Sequence, residues 1–383
     1  MIVPAGRVLV GGALRPGTAR VEAGRIAEVL DEPAGEGTLT PGLVDIHCNG
    51  AFGVDFAAAA VAAFRRALAA MARRGTTAVQ PTSITAPVPD LLAALDRCRA
   101  AQAALAPASG ARPVARVLGA HLEGPFLAET RRGAHRADWL ADPTPDRLDP
   151  LLAHPALTTM TLAPERPGAP EAIRRLVARG VRVSLGHTDA AADAVRAGAD
   201  AGATLVTHLY NAMRPFAHRD PGVPGAALTD PRLVLGLIGD GWHVHPLACR
   251  LAFQAAPGRI ALVSDAVAVA GLPPGTVLPF GGLPCRLDED GLGRREDGTI
   301  SGAGTLLDEG VRRMIAAGLD PACVLDAATR VPADALGRSD LGQIAPGAHA
   351  DLVLWDEGWQ PRRVWVGGVE VADVWRRRGA RLG

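Results

Sequence analysis

The sequence contains no lysine, so arginine supplies all 40 of its basic residues. Lysine forms Schiff bases, contacts phosphates in Walker A loops and, in some two-metal hydrolases, carries the bridging carbamate, and none of these is open to this chain. The high content of alanine, arginine, glycine and proline indicates base bias in the genome rather than a function.

Cysteine is also scarce, and its placement excludes two kinds of site. There is no CxxC pair, and the number is odd: Cys48, Cys98, Cys249, Cys285 and Cys323. We therefore expect neither a disulfide framework nor a cysteine zinc knot, and we expect a reducing, cytoplasmic compartment. The first ten residues do not resemble a signal peptide, and no apolar run reaches the ~18–20 residues that span a bilayer, so we expect no membrane partner.

The charge balance gives no sign of a nucleic-acid partner. The 40 basic residues balance 40 acidic ones, and the chain has no basic tract. Nucleic-acid-binding proteins usually show a basic excess, so we expect none here. A chain of 383 residues that is 48% hydrophobic is long and apolar enough for one large barrel with an accessory domain, or for two medium domains.

Both ends of the chain have the alternating pattern of β-strands. Near the start, residues 7–10 and 19–30 alternate, and Ala23-Gly24 marks a hairpin turn. Near the other end, residues 351–355 and 363–371 form similar short runs. We predict that residues 1–40 and 345–383 together form a small β-sandwich domain.

The middle of the chain alternates short apolar runs with helical stretches, which is typical of βα units around a parallel sheet. Eight segments have strand character: 43–47, 77–82, 116–122, 158–163, 181–186, 203–208, 234–239 and 260–265. Eight strands close a (β/α)₈ barrel, so the predicted fold class is α/β, with a TIM-like barrel over residues 41–344. A doubly wound open sheet shows the same alternation, but no G-x-G-x-x-G follows the first strand.

Polar side chains stand at the carboxyl ends of several predicted strands, where (β/α)₈ barrels place their active sites. They are His47, Asn49, Glu123, His187, His208, His243 and Asp265, in a chain with only 10 histidines. Glu123, His187 and His208 form a two-imidazole, one-carboxylate set that suits a catalytic divalent metal, Zn²⁺ first and Fe²⁺ or others next. Asp265 is placed to take a proton from a water that the metal has acidified.

Each of these residues has a structural alternative. A strand-end histidine can be an ordinary satisfied polar residue, Glu123 can be an ion-pair carboxylate, and Asp265 can cap the following helix. Their joint occurrence at one end of a barrel favours a site over these separate explanations.

Longer strings carry a more specific resemblance. Residues 40–47, TPGLVDIH, resemble the first-strand signature of the amidohydrolase superfamily. The chain further resembles the N-acetylglucosamine-6-phosphate deacetylases of that superfamily in HCNGAFGVDF (47–56), HLEGPF (121–126), GHT (186–188), THLYNAM (207–213), DGWH (240–243) and SDA (264–266). These strings follow one another in order, and with the flanking β segments the resemblance covers nearly the whole chain.

The resemblance implies a metal-dependent hydrolase that deacetylates N-acetylglucosamine 6-phosphate in amino-sugar catabolism. It makes Glu123, His187 and His208 the metal ligands and Asp265 the catalytic acid and base. It further implies five substrate contacts: Asn211, Ala212, Arg219, His243 and His135. It also implies a homodimer, in which the neighbouring subunit can supply part of the phosphate site.

The first strand departs from the family pattern. Two-metal members carry His-x-His there and some one-metal members carry Gln-x-Asn, whereas this chain has His47-Cys48-Asn49. Because one nitrogen ligand is missing and no lysine can carry a carbamate, we predict one tight metal per chain. His47 is then either a ligand of a weak second site or a residue that orients the acetyl group.

Two other functions remain open at this stage. One is a related amidohydrolase that acts on N-acetylgalactosamine 6-phosphate or on another N-acyl or cyclic amide, which only the shape of the pocket distinguishes. The other is a barrel that has lost catalysis and serves as a scaffold. A scaffold is expected to lose the metal ligands or the base, yet all four residues are retained.

Overall fold

The computed structural model describes residues 1–106 and 112–371. Its strands are β1 (Arg7–Val10), β2 (Ala13–Pro16), β3 (Thr18–Glu22), β4 (Arg25–Leu30), β5 (Thr38–Pro41), β6 (Leu43–Cys48), β7 (Gly50–Ala51), β8 (Val54–Asp55), β9 (Thr76–Ile84), β10 (Arg116–Val117), β11 (Ala120–Glu123), β12 (Leu157–Leu162), β13 (Arg182–Leu185), β14 (Leu205–Val206), β15 (Val234–Ile238), β16 (Ile260–Val263), β17 (Val277–Phe280), β18 (Leu283–Leu287), β19 (Leu292–Arg294), β20 (Ile300–Ala303), β21 (Leu352–Trp355), β22 (Pro361–Val366) and β23 (Val369–Glu370).

The α-helices lie between these strands. They are α1 (Val61–Arg73), α2 (Val88–Ala104), α3 (Pro145–Leu152), α4 (Ala169–Ala178), α5 (Ala192–Asp200), α6 (Gly222–Thr229), α7 (Pro246–Ala255), α8 (Leu307–Ala316), α9 (Pro321–Ala327) and α10 (Arg330–Ala335). Two 3₁₀ turns, Glu129–Arg131 and Ala137–Trp139, follow β11. None of the described helices combines the length and the apolar character that a membrane span requires.

The predicted (β/α)₈ barrel is confirmed. Its parallel strands run in the order β6, β9, β10 with β11, β12, β13, β14, β15 and β16, and every strand boundary lies within two residues of the prediction. The third strand is interrupted at Leu118-Gly119, so that β10 and β11 both pair with β9. The barrel closes between β16 and β6, where the Asp265 amide donates to the His47 carbonyl at 2.9 Å.

Burial explains why these segments form strands and helices. Every residue of β6 and of β16 is buried, as expected where a parallel sheet is covered on both faces. The covering helices present one apolar stripe each: in α1, Phe64, Leu68 and Met71 recur at helical spacing and are fully buried. Asp45 and His47 are the buried polar residues of β6, and the side chain of Asp45 accepts a hydrogen bond of 2.5 Å from the Ser264 hydroxyl beyond β16.

The two ends of the chain meet in one sheet, as the alternating patterns predicted. Its order is β2-β1-β5-β21-β22-β23, and β5 pairs antiparallel with β21. The β3–β4 hairpin turns at Ala23 and Gly24 and packs on this sheet through a core that includes Ile26 and Trp365. Residues 372–383 of the predicted small domain lie outside the described residues, and the division at residues 40 and 345 remains a prediction.

A four-stranded antiparallel sheet, β17 to β20, lies between β16 and α8 and was not predicted. Its strands are short. Only the last residue of β17 is buried, and buried residues in β18 alternate with exposed ones, so their sequence lacks the continuous apolar runs that mark the barrel strands. The sheet stands at the carboxyl end of the barrel. Phe280 at the end of β17 and Ile300, Ser301 and Gly302 of β20 form one wall of the cavity described below.

Candidate active site

Four side chains predicted from strand ends meet at the carboxyl end of the barrel. Glu123 is the last residue of β11, and His187, His208 and Asp265 each lie two residues beyond the end of a strand. These three have positive φ angles of 48°, 26° and 48°. Such conformations cost non-glycine residues on the order of 1–3 kcal/mol each, and they cluster at functional sites.

One oxygen of the Glu123 carboxylate faces two imidazoles. Its Oε1 atom lies 3.1 Å from Nε2 of His187 and 3.0 Å from Nε2 of His208. The two Nε2 atoms are themselves 3.0 Å apart. Three potential ligand atoms from three different strands therefore converge on one point.

The other oxygen of Glu123 faces two more histidines. Its Oε2 atom lies 3.4 Å from Nε2 of His47 and 3.5 Å from Nε2 of His135. Burial alone raises the pKa of Glu123, but the imidazoles of His47 and His187 outweigh burial, so its pKa is lowered and the carboxylate remains ionised. Burial and the neighbouring His187 lower the pKa of His135 to about 4, so this ring is neutral near pH 7.

The Glu123, His187 and His208 triad fits a divalent metal. Nδ1 of His187 lies 2.9 Å from the Arg131 carbonyl, which can only accept, so the ring proton is on Nδ1 and Nε2 presents a lone pair. That lone pair and the ionised Oε1 atom of Glu123 lie 3.1 Å apart and repel each other, and either a cation or a hydrogen on Nε2 of His208 relieves this repulsion. Two imidazoles and one carboxylate are a ligand set of catalytic zinc.

Asp265 lies beside this triad and is held from two sides. Its Oδ1 atom accepts a hydrogen bond of 2.9 Å from the side-chain amide of Asn49 and lies 3.3 Å from Nε2 of His47. The alternative of a helix cap is ruled out, because the next helix, α8, begins only at Leu307. Burial lowers the pKa of His47, but Glu123 and Asp265 raise it more, to about 9.

A cavity of about 360 Å³ opens over these groups. Its lining contains the triad, Asp265 and four of the five predicted substrate contacts: Asn211, Ala212, His243 and His135. The Asn211 side-chain amide donates to the carbonyls of His208 and Leu209 at 3.2 and 3.3 Å, which leaves its own oxygen for a substrate. The volume lies in the range of small-molecule sites.

His243 forms a pair with an acidic residue that was not assigned from the sequence. Its Nδ1 atom lies 2.6 Å from Oδ2 of Asp240, and its buried Nε2 has no hydrogen-bond partner within the described residues. Burial lowers the pKa of His243, but the hydrogen bond to Asp240 outweighs it, so the pKa is raised. A protonated His243 on the cavity wall can donate through Nε2.

Arg219 is the predicted contact that the structure does not bring into the cavity. It is exposed, on the loop between β14 and α6, and does not line the cavity of its own subunit. A contact from this subunit to the 6-phosphate is therefore not supported. The sequence motif could not show this, because it does not reveal which way a loop of this length points.

The contacts of several supporting residues were not predicted from the sequence. Asn49 was placed on the first strand, but its bond to Asp265 depends on closure of the barrel. His121 lies beneath the site, where its Nε2 is 2.7 Å from the Thr161 hydroxyl, and burial together with His47 lowers its pKa to about 3. The carbonyl of Arg131 has no signal in the sequence at all, since any residue could supply it.

The whole chain is similar to known proteins. The amidohydrolase family profile matches residues 38–371. The N-acetylgalactosamine-6-phosphate deacetylase of Escherichia coli O157:H7 is 37% identical over 334 residues, 86% of each chain. The N-acetylglucosamine-6-phosphate deacetylase of Homo sapiens is 36% identical over 405 residues, covering 98% of this chain and 95% of that protein. A mutant of the Mycobacterium smegmatis N-acetyl-D-glucosamine-6-phosphate deacetylase, solved with N-acetyl-D-glucosamine-6-phosphate, superposes with a TM-score of 0.89 at 34% identity, covering 97% and 99% of the two chains.

Proposed function

This chain belongs to the amidohydrolase family, and on that premise we propose that it hydrolyses N-acetylglucosamine 6-phosphate to glucosamine 6-phosphate and acetate. The observation that carries the proposal is the convergence of the Glu123, His187 and His208 ligand atoms within 3.1 Å of one another, beside Asp265 in one cavity. The relatives named above, deacetylases of phosphorylated N-acetyl sugars, supply the substrate class.

We propose that Glu123, His187 and His208 hold one tight metal ion, Zn²⁺ first and Fe²⁺ as the alternative. When bound, the ion supplies Lewis acidity, which lets water lose a proton near neutral pH and polarises an amide carbonyl. His47 and Asp265 offer atoms 3.3 Å apart for a second, weaker ion. The Asn49 amide binds Asp265 instead of adding a nitrogen ligand, which supports a stoichiometry of one.

Asp265 is the proposed general base and then the general acid. Its carboxylate takes the proton of the attacking water, and it returns that proton to the nitrogen of the leaving amine as the amide bond breaks. Asn49 restricts the carboxylate to one orientation through the bond to Oδ1. We propose that Nε2 of His243, the ring nitrogen that does not contact Asp240, donates to the carbonyl oxygen as negative charge develops on it.

The sugar is proposed to lie against the loop of Asn211 and Ala212, with its phosphate towards a second subunit. Arg219 is exposed and outside its own cavity, so we propose that it reaches the phosphate bound by the partner. Its planar guanidinium matches phosphate oxygens. Four large apolar side chains, 50–67% exposed, lie on the segments around this loop and support a homodimer: Phe216, Trp242, Leu247 and Leu251.

The galacto epimer is the second candidate substrate. The E. coli relative, at 37% identity, is named for N-acetylgalactosamine 6-phosphate, and the Homo sapiens relative, at 36%, for the gluco epimer, so identity does not separate them. The epimers differ only at one hydroxyl. A strong preference therefore requires a cavity group that hydrogen-bonds this hydroxyl.

We further propose that the reaction takes place in the cytoplasm, because all five cysteines are free and four of them are buried.

The test is acetate release from both 6-phosphates and from the unphosphorylated sugar, with metal content measured on the same sample. We expect release from the gluco 6-phosphate with about one metal per chain. If the protein binds metal and releases acetate faster from the galacto epimer, N-acetylgalactosamine 6-phosphate becomes the substrate and the proposed mechanism stands. Bound metal without release from any of the three would overturn the substrate class.

A further inference from the structure

Asp189 lies just outside the proposed active site and joins two loops. It follows His187 by two residues, and its two carboxylate oxygens bind two different arginines. Oδ1 accepts from Nε of Arg131 at 2.9 Å, whereas Oδ2 lies 3.4 Å from a terminal nitrogen of Arg214. The Asp189 amide in turn donates to the Glu165 carboxylate at 2.6 Å, which holds the backbone of Asp189 in place.

Arg131 belongs to the loop that orients one of the metal ligands. Its carbonyl accepts the Nδ1 hydrogen of His187 at 2.9 Å, and the preceding Ala128 amide donates to the His187 carbonyl at 2.9 Å. Within the described residues, Nδ1 of the other ligand histidine, His208, is buried and has no such partner. Orientation of His187 therefore depends on where this loop lies.

Arg214 belongs to the loop on the sugar side. Its second terminal nitrogen binds Asp220 at 3.1 Å, next to Arg219. Its backbone amide donates to the Thr188 carbonyl at 3.0 Å, and the Thr188 amide donates to the Ala212 carbonyl at 3.2 Å. The loop that carries Ala212 and Arg219 is thus attached at the same point as the loop that orients His187.

We infer that Asp189 is a positioning residue, which sets metal retention and the sugar-side loop together by bridging Arg131 and Arg214. Without its carboxylate, two guanidinium groups of the same charge would face each other with nothing between them. The three side chains are each exposed by 33–35%, and exposed ion pairs contribute little to global stability. The effect is therefore local to the two loops.

The Asp189→Ala variant tests this inference by two separate readouts. Metal affinity, measured by competition with a chromophoric chelator without substrate, should weaken about tenfold, the lower end of the range for groups that orient ligand histidines. On fully metal-loaded enzyme, KM for the phosphorylated sugar should rise more than kcat falls, because the sugar-side loop is displaced and Asp265 is not. The kinetic readout rests on the proposed function, whereas metal affinity does not.

Asp340→Ala is the matched control. Asp340 is 38% exposed and accepts two hydrogen bonds from Arg338, at 2.7 and 2.8 Å, away from the cavity. It should leave metal affinity and KM unchanged. Asp189→Asn should fall between wild type and Asp189→Ala, since an amide keeps one acceptor and loses the charge.

Equal metal affinity and KM in wild type and Asp189→Ala would overturn the inference, as would changes no larger than those of the Asp340→Ala control. If Asp189→Ala does not fold, Arg131→Ala replaces it and must weaken metal binding, because it removes the guanidinium that binds Asp189 and keeps the backbone carbonyl that orients His187. A wild-type protein that binds metal but does not release acetate would refute the proposed function. The metal affinity of Asp189→Ala would then still decide whether Asp189 positions the ligand loop.

Discussion

The side-chain amide of Asn49 donates a hydrogen bond of 2.9 Å to Oδ1 of Asp265, joining the end of the first barrel strand to the end of the eighth. The same Oδ1 atom lies 3.3 Å from Nε2 of His47. The proposed base is thus oriented by two residues at the end of the first strand, His47 and Asn49.

Asp265→Asn should keep the metal and lose turnover. An amide of the same shape cannot accept the proton of the attacking water, and general-base catalysis contributes about 10²–10⁴-fold. kcat should fall by that factor, with metal content unchanged by elemental analysis. A variant with near-normal kcat would show that another group is the base.

Asn49→His should raise metal content from about one towards two per chain. The change adds a second imidazole beside His47 and withdraws the amide that now binds Asp265. Asn49→Ala is the control: it also frees Asp265 but adds no ligand, so its metal content should stay near one while kcat falls. Elemental analysis after dialysis against the same Zn²⁺ concentration distinguishes the two variants. An unchanged metal content in Asn49→His would show that His47 is not a ligand of a second metal.

Metal removal should destabilise the protein. Without a cation, the Nε2 lone pair of His187 faces the ionised Oε1 atom of Glu123 at 3.1 Å. Free metal at 100 times its Kd stabilises the folded state by about 2.7 kcal/mol, or roughly 3 °C in Tm for a chain of this length. Calorimetry with chelator and with Zn²⁺ measures the difference. Glu123→Gln should lose this metal response, and a wild-type Tm indifferent to Zn²⁺ would argue against the site.

The pH profile should report the pair of His243 and Asp240. The pKa of His243 is raised from 6.5, as the bond to Asp240 outweighs burial. A group with a raised pKa keeps its proton to higher pH, so donation from Nε2 is intact below 6.5 and is lost as pH rises through the raised value. kcat/KM should show an alkaline limb there, and Asp240→Asn should move it to lower pH. If the alkaline limb lies at the same pH in Asp240→Asn as in wild type, it reports the titration of another group.

Arg219 should act across the dimer interface. Arg219→Ala should raise KM for the 6-phosphate by about 10-fold or more, as expected for a lost charge-assisted contact of ~1.5–3 kcal/mol, and leave the unphosphorylated sugar unaffected. Mixing this variant with Asp265→Asn gives hybrid dimers. If Arg219 acts in trans, one site of each hybrid holds both residues, and activity returns on mixing. If it acts within its own subunit, mixing restores nothing.

The prediction of the barrel succeeded because its signals are local. Residues 234–238 and 260–263 are continuous apolar runs, which a strand covered on both faces requires. The β17–β20 sheet has one exposed side and short strands, so its pattern resembled a loop. It nevertheless forms a wall of the cavity, and that contribution could not be read from a pattern.

By itself, the sequence determined the barrel. It also determined that four side chains meet at one end of it, because in a parallel barrel the carboxyl ends of all strands lie on the same side: Glu123, His187, His208 and Asp265. It also determined that no lysine takes part. Only the tertiary structure decided which oxygen of Glu123 faces which histidine, that Arg219 lies outside its own cavity, and that Asp189 joins two loops. Those contacts link residues 12 to 85 positions apart or depend on the direction of a loop, and the order of residues along a chain does not show which of them meet.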